Sequence, residues 1–271
     1  MTRRPALLLT ATLLLTGTLL LTGTLLLTVT LLRWLRSAGD AALWRIFPGC
    51  CRCCGLASGL RIDLCAVCAA DLPRDRFTCA TCARPLPRAV QRCGACLRPR
   101  PPFTRTVAAL RYAAPVDALV ADVKFHNRLA SARILGTLLT AAVRTAYHDD
   151  LLPDLVVPVP LSLHRLLRRG HDQAALLARH VARDLGLPCA VAAVARVRHT
   201  APQSRLRSRA RQRNLVGAFA VRKTVTGRHV AVVDDVLTTG ATAREVALAL
   251  RRAGAARVDV WVAARTPEPA Y

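Results

Sequence analysis

The chain has 271 residues, enough for one medium domain and a small one, and its 40 Lys and Arg against 16 Asp and Glu give a net charge of +24. This basic excess predicts polyanionic partners, either nucleic acid or phosphorylated metabolites. Three Trp, three Tyr and five Phe are too few to make a base-stacking platform evident. Clustering of ten of the 11 cysteines in C-x-x-C pairs between positions 50 and 96 favours metal over disulfides, and therefore a reducing, cytoplasmic setting.

The N-terminal segment, residues 1–33, is hydrophobic and of low complexity. Residues 7–30 are four copies of a six-residue unit, LLLTAT, LLLTGT, LLLTGT and LLLTVT. The uncharged stretch 5–32 is long enough to span a bilayer, which would make the protein membrane-anchored. A second interpretation is an expanded DNA repeat translated from a start codon placed too far upstream. A signal peptide is disfavoured because no convincing A-x-A cleavage site follows.

Residues 48–98 contain two sets of four cysteines with the same spacing, C-x2-C-x10-C-x2-C, displaced by 28 positions. Two C-x-x-C turns complete a tetrahedral four-thiolate site, so the pattern predicts a zinc-ribbon-like module holding one or two structural Zn2+ ions. A redox dithiol and an iron–sulfur cluster are weaker alternatives. Cys50 and Cys53 could replace the first pair, and the ligand pairs could be sequential or crossed. The predicted metal ligands are Cys51, Cys54, Cys65, Cys68, Cys79, Cys82, Cys93 and Cys96.

After a linker marked by Pro99, Pro101 and Pro102, residues 103–265 alternate between helical and strand patterns. Helices are expected at 129–147, 171–185 and after residue 240, and strands at 155–160, 190–197, 230–233 and 258–264. An arginine-bearing turn is expected at 165–170. This alternation predicts an α/β domain, a parallel sheet with helices on both faces, which binds its ligand at the carboxyl ends of the strands.

The most informative segment is 230–242, Val-Ala-Val-Val-Asp-Asp-Val-Leu-Thr-Thr-Gly-Ala-Thr. A buried strand is expected to end at Asp234 and Asp235, whose carboxylates can accept hydrogen bonds from a ribose cis-diol. Threonine hydroxyls and free amides at the start of the next helix attract a phosphate. Gly240 permits close backbone approach and a positive φ. The pattern predicts a site for a phosphorylated sugar.

A P-loop NTPase also has an acidic strand, but it requires a G-x-x-x-x-G-K-[ST] loop. The two lysines of the chain, Lys124 and Lys223, do not follow a glycine. The sequence therefore excludes this class.

Segment 230–242 resembles the 5-phosphoribosyl-1-pyrophosphate (PRPP) signature of type I phosphoribosyltransferases. The resemblance implies a type I phosphoribosyltransferase-like fold that binds PRPP with Mg2+. It also implies that Asp234 and Asp235 are catalytic. The implied PRPP-binding residues are Asp234, Asp235, Val236, Leu237, Thr238, Thr239, Gly240, Ala241 and Thr242.

A cysteine module ahead of this signature resembles the ComF family, including GntX-type proteins. Further matches are Tyr112, Lys124-Phe125, Pro158-Val159-Pro160, Arg169-Gly170, Gln173, Gln203, Arg211, Asn214 and Phe219. Where the family usually has Phe-Asn-Gln, this chain has His171-Asp172-Gln173, which puts local contacts in question.

The ComF resemblance implies two further groups of site residues and leaves two functions open. The pyrophosphate side would comprise Lys124, Pro160, Leu161, Ser162 and Arg169, and a flexible basic segment would contribute Gln203, Arg207, Arg211 and Asn214. One hypothesis is transfer of phosphoribose to an unknown acceptor. The other is a non-catalytic competence protein that binds single-stranded DNA or DNA-uptake proteins, with PRPP as a regulatory ligand or a relic.

Overall fold

A computed structural model describes residues 49–59, 61–97, 100–198 and 215–267. The hydrophobic segment 1–33 lies outside these ranges, as do the predicted basic-segment residues Gln203, Arg207, Arg211 and Asn214. Within the described ranges, no helix combines the length and apolar character needed to cross a membrane.

The cysteine module contains two short helices, α1 (Ala66–Asp71) and α2 (Gly94–Leu97). The larger domain has the strands β1 (Thr106–Arg111), β2 (Leu155–Pro158), β3 (Val194–Arg196), β4 (Phe219–Val221), β5 (His229–Leu237) and β6 (Arg257–Arg265). Its helices are α3 (Val116–Phe125), α4 (Leu129–Ala146), α5 (Leu163–Arg169), α6 (Gln173–Leu185) and α7 (Ala241–Arg252).

Four parallel strands form the main sheet in the order β1-β6-β5-β2. Alternate residues of the central strands face opposite sides: Ala231 and Val233 of β5 pack in the core that contains α4 and α6, while Val230 and Val232 pack against α7. Burial on both faces explains the continuous apolar run of β5. The α/β fold class with helices on both faces is confirmed.

Several boundaries differ from expectation, among them the end of β2 at Pro158 rather than at 160. Strand β5 continues to Leu237 because β6 pairs with it as far as Arg265. Of the strand expected at 190–197, only 194–196 forms, and it pairs antiparallel with β4 outside the main sheet. The arginine-bearing turn expected at 165–170 is the helix α5, ended by Gly170 with φ +73°. Helix α6 begins at Gln173 rather than at 171 because the Asp172 carboxylate caps it.

The cysteine module packs directly against the larger domain. Leu64 and Leu72 are buried in the same apolar cluster as Leu139 and Trp261. Arg111 of β1 donates from Nε to Asp75 over 2.6 Å. The proline-marked linker therefore joins two parts that share one core.

Candidate functional site

Strand β5 brings the acidic pair to the carboxyl-terminal edge of the sheet. Each carboxylate accepts a hydrogen bond from the following amide: Asp235 N donates to Asp234 over 2.9 Å, and Val236 N donates to Asp235 over 2.6 Å. These bonds turn the two side chains along the strand end and hold them there.

Residues 238–240 form the turn between β5 and α7. Gly240 has φ +78°, a conformation that side-chain-bearing residues rarely adopt, and it stands at the N-cap of α7. The Thr239 hydroxyl accepts from the amide of Ala241 over 3.4 Å. The turn thus brings threonine hydroxyls together with a helix N-terminus.

Cationic side chains come from other elements to face the acidic pair. Lys124, at the end of α3, places Nζ 3.0 Å from Asp235 Oδ2, and both side chains are largely buried. Arg169 ends α5, and its guanidinium lies 5.3 Å from the centre of the Phe125 ring. Burial lowers the pKa of Arg169, partly offset by the charge of Asp235. Opposite charges therefore meet across the site.

These elements surround a cavity of about 260 Å3. Nine predicted site residues line it: Lys124, Pro160, Leu161, Arg169, Asp234, Asp235, Val236, Thr238 and Thr242. Five others stand in the same loops but do not line the cavity, namely Ser162, Leu237, Thr239, Gly240 and Ala241. The fold therefore brings the acidic pair, the threonine turn and the expected pyrophosphate loop to one place.

The surroundings of the acidic pair disfavour ionisation of one of its two carboxyl groups. Dense packing around Asp234, together with the negative charge of Asp235, raises the pKa of Asp234 to about 8, although Lys124 and the amide of Asp235 oppose the shift. The cavity consequently holds one carboxyl that resists ionisation next to one that is paired with a lysine.

Sequence reasoning missed Asp172, which organises the opposite wall. Its Oδ1 accepts from Ala175 N over 3.0 Å, and its Oδ2 accepts from Leu161 N over 3.3 Å. Burial raises the pKa of this carboxyl. Asp172 thus ties the loop after β2 to the start of α6. An acidic residue just before a helical pattern is an N-cap signal that could have identified it.

The neighbouring Gln173 stands out in the sequence only as a family match, and the structure places it in the cavity wall with 2% of its surface exposed. Its Nε2 atom has no hydrogen-bond acceptor among the described residues. A buried donor without an acceptor is costly, so it marks a position where a ligand oxygen fits. Tyr112 and Arg165 also line the cavity without having been predicted as site residues.

His171 stands where the family pattern has Phe. Its ring is half-buried, with Nδ1 2.9 Å from the carbonyl oxygen of Arg169 and Nε2 2.6 Å from that of Val123. The ring therefore connects the end of α5 to the end of α3, next to Lys124. Phenylalanine, the residue of the family pattern, has no ring nitrogen and would form neither contact.

The eight predicted metal ligands form two separate tetrads. Cys51, Cys54, Cys65 and Cys68 bring their sulfur atoms within 4.8 Å of one another, and so do Cys79, Cys82, Cys93 and Cys96. The ligand pairs are thus sequential rather than crossed, and Cys50 and Cys53 belong to neither tetrad. Four thiols at this separation suit one tetrahedral ion in each tetrad.

The two tetrads repeat the same backbone geometry 28 residues apart. Cys51 N donates to Leu56 O over 2.7 Å, and Cys79 N donates to Arg84 O over 2.8 Å. Gly55 and its counterpart Ala83 both have positive φ, +77° and +51°. The duplication seen in the cysteine spacing is therefore a duplication of structure.

Comparison with known proteins agrees with this architecture. A family model described as the phosphoribosyl transferase domain matches residues 171–271. The DNA utilization protein YhgH of Escherichia coli K12 is 40% identical over 222 residues, which cover 81% of this chain and 98% of that protein. Competence protein F of Haemophilus influenzae is 40% identical over 159 residues, 57% of this chain and 69% of that protein.

Among solved structures, the allosteric regulatory enzyme of purine biosynthesis aligns with 53% of this chain and 30% of its own, at 20% identity and a TM-score of 0.36. That likeness is too weak to carry a conclusion. The two curated relatives and the family model, together with the fold, show that the chain belongs to the ComF family and carries a phosphoribosyltransferase-type domain.

Proposed function

We propose that the cavity binds PRPP together with Mg2+. The observation that carries the proposal is the meeting of an acidic pair and a threonine turn at a helix N-terminus with a cationic wall across one 260 Å3 space. PRPP has matching parts, a 5-phosphate, a cis-diol and a pyrophosphate. The cavity offers a counterpart for each of these three parts.

The charges orient the ligand. The 5-phosphate lies on the turn 238–242, where hydroxyls and helix amides donate to it. The ribose hydroxyls donate to Asp234 and Asp235. The pyrophosphate then extends toward Lys124, Arg169 and the loop after β2, and Gln173 Nε2 donates to one of its oxygens. Mg2+, when bound, neutralises charge on the pyrophosphate.

If phosphoribose is transferred, a nucleophile attacks the anomeric carbon, the bond from that carbon to the pyrophosphate oxygen breaks, and pyrophosphate leaves with the electron pair. The residues of the chain contribute by positioning the ribose and stabilising the leaving group. Lys124 is already paired with Asp235 at the edge of the cavity, so it needs little rearrangement to share its charge with the ligand.

For the cysteine tetrads we propose one structural Zn2+ each. The donor set is four thiolates with no open position, and it stands in a module too small to be stable on apolar burial alone. Burial opposes ionisation of Cys51, but amide donors outweigh it and lower its pKa to about 6. Thiolate chemistry of this kind requires a reducing compartment, and we therefore infer a cytoplasmic location.

A second candidate function is the binding of single-stranded DNA, as a competence or DNA-uptake protein. The names of the two curated relatives favour it, and so does the net charge of +24. In this case PRPP is a regulatory ligand or the cavity is a relic.

The PRPP proposal is tested by calorimetry on the full chain with PRPP and Mg2+. Asp235→Asn should weaken binding about 10- to 100-fold because it removes charged hydrogen bonds to the ribose. Asp149→Asn, on an exposed carboxylate, is the matched control and should bind like the wild type. Absence of PRPP binding by the wild-type protein would refute both the enzymatic and the regulatory form of the proposal.

The raised pKa of Asp234 predicts that the stability of the protein depends on pH. Because the folded-state pKa of Asp234 lies above its unfolded value, its contribution to stability falls as pH rises from about 4 to 8. Asp234→Asn should therefore be more stable than the wild type at pH 9, by up to about 5 kcal/mol at roughly 1.4 kcal/mol for each unit of the pKa shift, and the gain should vanish near pH 4. Urea unfolding at both pH values measures it, and a gain that does not depend on pH would contradict the assignment.

Metal analysis of the full chain tests the zinc proposal. We expect two Zn2+ per chain in the wild type and one in Cys65→Ser/Cys68→Ser, which removes half of the first tetrad. The matched control is Cys50→Ser/Cys53→Ser, which changes two nearby cysteines outside both tetrads and should retain two ions. Iron with sulfide, or loss of metal in the control, would overturn the assignment.

DNA binding is tested by measuring the affinity for a single-stranded oligonucleotide across a salt series. Arg207→Ala/Arg211→Ala should lower the slope of log affinity against log salt by roughly 0.7 for each phosphate that the variant no longer neutralises. Arg88→Ala/Arg252→Ala removes the same charge from exposed positions elsewhere and should leave the slope unchanged. An equal decrease of the slope in both variants would show that only net charge matters and would refute a specific DNA interface.

A further inference from the structure

Arg265 connects the second cysteine tetrad to the turn 238–242, on which the 5-phosphate is proposed to lie. It is the last residue of β6 and is 3% exposed. Its Nε donates to the carbonyl oxygen of Cys82, a member of the tetrad, over 3.1 Å. Its Nη1 donates to the carbonyl oxygen of Leu237 over 3.0 Å and to that of Thr238. One planar guanidinium thus holds backbone from both places.

The contact with Cys82 is one of three from consecutive carbonyls. Thr106 of β1 donates from its backbone N to Ala80 O over 3.4 Å and from its hydroxyl to Thr81 O over 2.7 Å. The C-x-x-C turn 79–82 therefore presents its carbonyl oxygens to the domain while its sulfur atoms converge on the metal position. A metal ion that fixes the sulfur atoms also fixes the direction of these carbonyls.

We propose that Arg265 is a positioning residue that couples metal occupancy of the second tetrad to the conformation of the turn 238–242, an inference that rests on the proposed phosphoribose site. With metal bound, the Cys82 carbonyl holds the guanidinium, and the guanidinium holds the start of the turn. Loss of metal releases the C-x-x-C turn and with it one anchor of Arg265. Because coupling between two sites is reciprocal, PRPP bound at the turn must in turn retain the metal.

The first tetrad meets the domain differently, which makes it an internal control. Arg52 lies in its C-x-x-C turn, and the Arg52 side chain donates a hydrogen bond to the carboxylate of Asp122 in α3 over 2.8 Å. The proposal therefore predicts an effect of Arg265 on the second tetrad and little effect on the first, although both hold the same ligand set. A general loss of stability would affect both.

The experiment follows alkylation of the cysteines of the full zinc-loaded chain by mass spectrometry, in the presence of a zinc-selective chelator. Peptides containing residues 51–68 and 79–96 report the two tetrads in one sample. Arg265→Met should speed alkylation of the second set about 10-fold relative to the first, the size expected when a partner outside the ligand set is removed. Arg251→Met is the matched control, since Arg251 also donates to backbone carbonyls, those of Ala255 and Ala256.

Addition of PRPP with Mg2+ completes the test. It should slow alkylation of the second set in the wild type and leave it unchanged in Arg265→Met. If the wild type does not bind PRPP, the proposed function fails while the effect of Arg265 on the second tetrad is still measured. Equal changes in both tetrads, or none, overturn the coupling. Should Arg265→Met fail to fold, wild-type protein that binds PRPP without slower alkylation of the second set overturns it as well.

Discussion

The charge of Asp234 and Asp235 at the end of a strand buried on both faces is the constraint on which the site depends. Packing disfavours that charge, as the raised pKa of Asp234 records. Lys124 satisfies Asp235, and nothing of comparable strength faces Asp234 among the described residues. The fold therefore retains an acidic group at a cost in stability. Such a cost is characteristic of residues kept for a ligand rather than for folding.

Much of the fold and one wall of the site follow from local sequence. In 230–242, strand, acids, glycine and helix are contiguous, so their order in the chain is their order in space. Gly240 needs only its own φ to make the turn. The apolar spacing of 243, 246, 247 and 250 likewise fixes the buried face of α7. The duplicated cysteine spacing indicated two similar turns for the same reason.

The opposite wall could not be derived in this way because distant segments build it. Lys124 meets Asp235 only through the packing of α3 on the sheet. Asp172 acts through a hydrogen bond to Leu161 that depends on where α6 begins. The same limit applied to the cysteines, since sequential and crossed pairing have identical spacing. The strand expected at 190–197 is shorter in the structure because apolar residues of this segment pack around a bend rather than along a ladder of strand hydrogen bonds.

Hydrogen bonds between the cysteine module and the larger domain show that the two parts of the chain do not behave as separate units. Prolines at 99, 101 and 102 divide the sequence, yet Leu64 and Leu72 lie in the core of the larger domain. A metal-thiolate turn is a rigid way to present carbonyl oxygens, since four bonds to one ion fix the backbone without any apolar core. A guanidinium holds its N–H donors in a fixed geometry. It can therefore donate to those carbonyl oxygens and to a second backbone segment at the same time. Arg265 donates hydrogen bonds both to such a turn and to the start of the turn 238–242, so direct contacts cross the boundary that the prolines mark in the sequence.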